Sequence, residues 1–166
     1  MTLSKKSFLG AIVVVAASAA LVFSLQAGAS RGHHERHGKL FRSSLVGNLL
    51  TDPPIHGVTR AGAEWKLKRG TAQLSRHGKF DLRVKRLVLV TTGNPGTVTT
   101  ITASFFCAPD SNAAAAFTAG PVALEADGDA HIHQHVTVPS RCLSPVVLVH
   151  PNGGATRYIA VSGLTG

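Results

Sequence analysis

Clusters of turn-forming residues recur at short intervals through this chain, and they constrain its fold more than any other feature. Asp52-Pro53-Pro54, Ser75-Arg76-His77-Gly78, Gly93-Asn94-Pro95-Gly96, Asp127-Gly128-Asp129 and Pro151-Asn152-Gly153-Gly154 each supply the residue types that a chain reversal needs. The runs between them (45–50, 63–68, 71–75, 79–90, 97–107, 117–125, 130–138, 146–150 and 156–162) are rich in Val, Thr, Leu, Ile and Phe, which suit a pleated backbone. Residues 111–117 (SNAAAAF) are the only candidate for a helical turn, and the segment is short. The expectation is an all-β domain, a single antiparallel sandwich or barrel of about nine strands.

Some facings follow directly. From Phe80 to Lys85 apolar side chains alternate with charges, which puts Phe80, Leu82 and Val84 on a packed face and Asp81, Arg83 and Lys85 on a wet one. Trp65 and Leu67 point inward between Glu64, Lys66 and Lys68 by the same parity. The alternation breaks at Arg86-Leu87-Val88, where continuing it would bury Arg86. A β-bulge near Lys85–Arg86, or a strand end buried on both faces, is expected there.

The first residues set the compartment. Lys5 and Lys6 precede an apolar run over 8–25, and Ala27-Gly28-Ala29 offers the small residues that a signal peptidase accepts. Residues 1–29 are read as a signal peptide cut after Ala29, the alternative being an uncleaved membrane anchor. Lys5-Lys6 before Ser7-Phe8-Leu9 resembles a twin-arginine signal but lacks both arginines, which favours general secretion. Residues 30–42 follow as a short disordered leader, polar through about Lys39, and 43–166 form the β domain. The product is expected outside the cytoplasm, secreted, extracellular or periplasmic. In that compartment its two cysteines, Cys107 and Cys142, have one intramolecular pairing available, a disulfide.

Three clusters carry chemistry. The first is basic. Past residue 29 the chain holds fifteen Lys and Arg against eight Asp and Glu, and residues 60–86 alone hold nine bases and two acids. Lys66 and Lys68 share one strand face and Arg83 and Lys85 another; with Arg69 they form a basic stripe if the strands are neighbours. Outside the membrane the targets of such a stripe are anionic wall polymers, lipid headgroups, polysaccharides or released nucleic acid. Specific nucleic-acid recognition is not expected, because Trp65 and Phe80 are read as core residues and no other aromatics interleave the bases. The plainer reading is a charged face that keeps the protein soluble.

The second cluster is His131-Ile132-His133-Gln134-His135. On a strand its three imidazoles form a row with Cα atoms about 6.5–7 Å apart. A Cu or Zn site there would take two of the three plus a ligand from a neighbouring strand. The plainer reading is a wet strand face opposite Ile132, Val136 and Val138. The third cluster, His33-His34-Glu35-Arg36-His37, lies in the leader and would hold a metal weakly. Cleavage after Ser30 would instead make His33 the third residue of a square-planar Cu(II) or Ni(II) site.

Enzymatic signatures are poor. The chain has no GxSxG elbow, no HExxH and no Gly-rich phosphate loop. The acids Glu64, Asp81, Asp110, Glu125, Asp127 and Asp129 fall mostly on strand surfaces and turns. Trp65-Lys66-Leu67-Lys68-Arg69-Gly70, His77-Gly78-Lys79-Phe80-Asp81-Leu82-Arg83-Val84 and the closing stretch from Cys142 to Pro151 resemble small secreted bacterial all-β proteins of unassigned function. The resemblance covers most of 43–166, implies the exported β fold, and carries no site residues. The function expected is therefore a non-catalytic exported domain that binds anionic envelope or extracellular polymers, without a cofactor. A metal-binding protein using His131, His133 and His135 is the alternative, and an enzyme of unknown class is third.

Overall fold

The computed structural model describes residues 38–163, apart from residue 111. The segment read as a signal peptide, most of the stretch read as a leader and the His33–His37 cluster lie outside the described residues. The described residues are all-β, as the turn spacing implies. Eight strands build its main sheet: β1 (Lys39–Gly47), β4 (Arg69–Ser75), β5 (Lys79–Lys85), β7 (Thr100–Phe106), β8 (Phe117–Ala123), β9 (Ala130–His135), β10 (Val146–Pro151) and β12 (Ala160–Gly163). Four two-residue strands, β2 (Thr59–Arg60), β3 (Trp65–Lys66), β6 (Val88–Leu89) and β11 (Arg157–Tyr158), make two small accessory pairs.

Strand order in the main sheet is β8-β7-β10-β12-β1-β4-β5-β9, every pair antiparallel. β1 serves two partners, pairing β4 through its first half and β12 through its second. The sheet curls until its two edges face each other. Phe80 of β5 meets Phe117 of β8 edge-on at 5.2 Å, and Phe117 stacks on Phe105 at 5.0 Å. The backbone N–H of Gly120 in β8 donates to Oε1 of Gln134 in β9, 3.0 Å away. Gln134 has the parity of Ile132, so its side chain would otherwise be an inward polar group; at the seam it finds a partner instead.

The core is what the alternation demands. Phe80, Leu82 and Val84 are fully buried, opposite Leu74, Ala72 and Gly70 of β4, while Arg83 and Lys85 are exposed and Asp81 half-buried. β7 and β10 are buried along almost their whole length, Thr102, Ser104 and His150 included, because they are covered on both faces. Ile101, Ala103, Phe105, Val147 and Val149 face the interior of the curled sheet. Phe106 and Leu148 face outward, beneath Val58 and Tyr158 of the β2–β11 layer. The Tyr158 hydroxyl donates to the Pro53 carbonyl at 2.9 Å and pins that layer down.

Several elements differ from expectation. β1 begins at Lys39, inside the stretch read as leader, because β4 offers pairing partners to Lys39 and Phe41, and Phe41 packs edge-on against Phe105 at 5.2 Å. Residues 112–116 form no helical turn; the Ala116 N–H donates to the Phe105 carbonyl at 2.7 Å and leads straight into β8. The run 63–68 is a strand only at β3, and the run 79–90 is two strands. At Arg86 there is neither a bulge nor a doubly buried strand end. The residue takes a left-handed conformation (φ 54°), which ends β5 and turns Leu87 and Val88 into the core while the arginine stays exposed. The Asp127-Gly128-Asp129 turn catches this corner. Arg86 N–H donates to Asp129 Oδ1 at 2.9 Å, and Leu87 N–H donates to the Gly128 carbonyl at 2.8 Å. At the other end of the segment, Gly47 allows β3 to approach closely: a Cβ there would stand 1.9 Å from the Trp65 carbonyl oxygen.

Candidate functional site

The pairing of β5 with β9 decides which surface residues meet. Its register sets Lys79 opposite His135, Asp81 opposite His133 and Arg83 opposite His131, all on the outer face. Asp81 is the hub. Its Oδ2 accepts from Nε2 of His131 at 2.9 Å and from Nδ1 of His133 at 3.1 Å, while its Oδ1 accepts from Nε of Arg83 at 3.0 Å. Partial burial alone would raise the carboxyl pKa, but the hydrogen bonds from Arg83, His131 and His133 outweigh it and pull it down to about 2. The ligand atoms of Asp81, His131 and His133 all lie within 4.8 Å of one another. The structure thus gathers two of the three histidines of the row. His135 is exposed opposite Lys79 and belongs to no such group among the described residues.

The basic residues gather one step further along the same strands. Arg69 pairs with Lys85 across β4 and β5, and the Lys68 N–H donates to the Lys85 carbonyl at 2.9 Å, which brings the segment from Lys66 to Arg69 beside the end of β5. Lys68, Arg69, Lys85 and Arg86 line a shallow depression with Asp127 and Asp129. Lys66, Lys68 and Arg86 line a second beside it. Lys85 forms an ion pair with Asp129, which raises the ammonium pKa and lowers the carboxyl, each chiefly through their shared hydrogen bond. Arg83 is committed to Asp81. Lys66, Lys68 and Arg69 make no ion pair among the described residues. Trp65 and Phe80 are buried, so no aromatic platform accompanies these charges.

Four members of these clusters, Asp81, Arg86, Asp127 and Asp129, were missed as site residues. The signal for Asp81 was present only in part: its wet-face parity was legible, but its histidine partners stand 50 and 52 residues away. Cys107 and Cys142 are joined in a disulfide with Cα atoms 4.5 Å apart, tying the end of β7 to the connection between β9 and β10. That bond is consistent with an oxidising location. No protein-family model matches the chain, and no curated protein or solved structure matches it either.

Proposed function

We propose that this protein is an exported, non-catalytic domain that associates with an anionic polymer of the cell envelope or its surroundings through the basic end of β4 and β5. The observation that carries the reading is the convergence of Lys66, Lys68, Arg69, Lys85 and Arg86 on two adjoining shallow depressions that hold two acids, Asp127 and Asp129. Lys66, Lys68 and Arg69 have no internal counter-ion among the described residues, so their charge is available to an external one. The depressions are open, which suits a repeating charged chain better than a small molecule that needs enclosure. Reading residues 1–29 as an export signal, together with the Cys107–Cys142 disulfide, supports a location where such polymers are found.

The test is chromatography of the full chain on a sulfated polysaccharide matrix and on a neutral one of the same backbone. Retention at low salt and release as salt rises are expected on the charged matrix alone. Substituting Lys66, Lys68 and Arg69 together by Ser should flatten the dependence of log affinity on log salt by about 2–3. Equal retention on the neutral matrix, or an unaltered salt dependence in the triple variant, would overturn the assignment.

A further inference from the structure

A second site stands on a different observation. We propose that Asp81, His131 and His133 form a binding site for a divalent transition-metal ion of the Zn(II) or Cu(II) class, with Arg83 as the group that holds the carboxylate in position.

A carboxylate only accepts hydrogen bonds, so both imidazole nitrogens that face Asp81 Oδ2 carry protons. Two protons and one carboxylate oxygen therefore occupy the point on which three ligand atoms converge. A metal ion replaces those protons at a place where the donors are already assembled. Around a tetrahedral ion with bonds of about 2.0–2.2 Å, neighbouring ligand atoms stand about 3.3–3.5 Å apart. The two contacts to Asp81 Oδ2, at 2.9 and 3.1 Å, fall short of that by a few tenths of an ångström. Rotation of the two exposed imidazoles makes up the difference.

The second oxygen of Asp81 is tied to Arg83 Nε, which leaves Oδ2 directed at the two imidazoles as the ligand atom. An outer hydrogen bond of this kind is how a ligating carboxylate is kept in orientation. The site sits on two paired strands rather than on a loop, so the Asp81–His133 pair is fixed by the ladder itself. Donor chemistry selects the ion. Two imidazoles and one carboxylate fit Zn(II), Cu(II) or Co(II); Ca(II) and Mg(II) prefer oxygen alone, and Cu(I) prefers thiolates, which the disulfide removes. Three protein ligands leave at least one position for water or an external donor.

The experiment uses the full chain in a background carrying His33→Ala, His34→Ala and His37→Ala, which removes the leader cluster as a competing chelator. Zn(II) is titrated calorimetrically, and Co(II) is followed by its visible d–d absorption. One equivalent is expected, with tetrahedral Co(II) bands. His133→Ala, His131→Ala and Asp81→Asn should each weaken binding about ten-fold or more, while His135→Ala leaves it unchanged. Arg83→Ala should lower affinity with the stoichiometry kept. Metal-free melting curves of each variant confirm the fold. Equal weakening by His135→Ala and His133→Ala, or affinity indifferent to the substitutions at Asp81, His131 and His133, would overturn the proposal. Neither outcome bears on polymer binding, which the Lys66, Lys68 and Arg69 variant reports separately.

Discussion

Replacing Asp81 by Asn keeps the side chain's shape and removes its charge, and the structure says how much that should cost and at which pH. The carboxyl is held at about 2 against an ordinary 3.8. A drop of that size corresponds to about 2 kcal/mol of preference for the ionised form in the folded state. Asp81 is 21 % exposed and its partner Arg83 61 %, so solvent screening reduces the figure to about 1 kcal/mol. The sign is set by the direction. A carboxyl whose folded pKa is depressed contributes its full stability above the unfolded value near 4, and loses it as pH falls toward about 2. Urea unfolding in the presence of a chelator, followed by the fluorescence of the single, buried Trp65, measures this directly. The expected result is that Asp81→Asn is about 1 kcal/mol less stable than wild type at pH 5, and that the gap closes by pH 2. A gap of the same size at both pH values would show that the loss is steric, and that the ionic hub contributes nothing.

Two further predictions test the framework around the hub. Reducing the Cys107–Cys142 bond, which spans 35 residues, should lower stability by about 3–4 kcal/mol; coincident melting curves with and without reductant would contradict this. Gly47→Ala drives a methyl group into the Trp65 carbonyl and should cost about 3 kcal/mol with a shift in tryptophan emission, so an unchanged melt would mean that β3 yields freely.

The outer and inner faces of β5 were legible because Phe80 to Lys85 alternate strictly, and a period of two leaves no choice about which side is wet. The β-branched and aromatic runs of β7 and β10 announced strands but not their second cover. Val58 and Tyr158, which supply it, are remote in sequence and have no periodicity of their own. Arg86 announced an irregularity without its kind: a charge out of phase signals that the strand cannot continue, whereas the left-handed turn that resolves it depends on Gly128 and Asp129 arriving from elsewhere. The candidate site divides in the same way. The histidine row and the basic stretch are contiguous in sequence and were visible. The choice of His131 and His133 over His135, and the partnership with Asp81, depend on the β5–β9 register, which local pattern does not encode.

The seam between β8 and β9 has a mechanical consequence. Each of these two strands has a full backbone ladder on one flank, and on the other the Gly120–Gln134 bridge is the link the geometry supplies. Five strands remain stitched on both sides if either margin peels away, so the wall can shed a stave without coming apart. The amides of β8 and β9 should therefore trade hydrogen for deuterium well before those of β12, β1 and β4. An ion gripping both β5 and β9 would act as a rivet, slowing that exchange on one margin and leaving the other as it was.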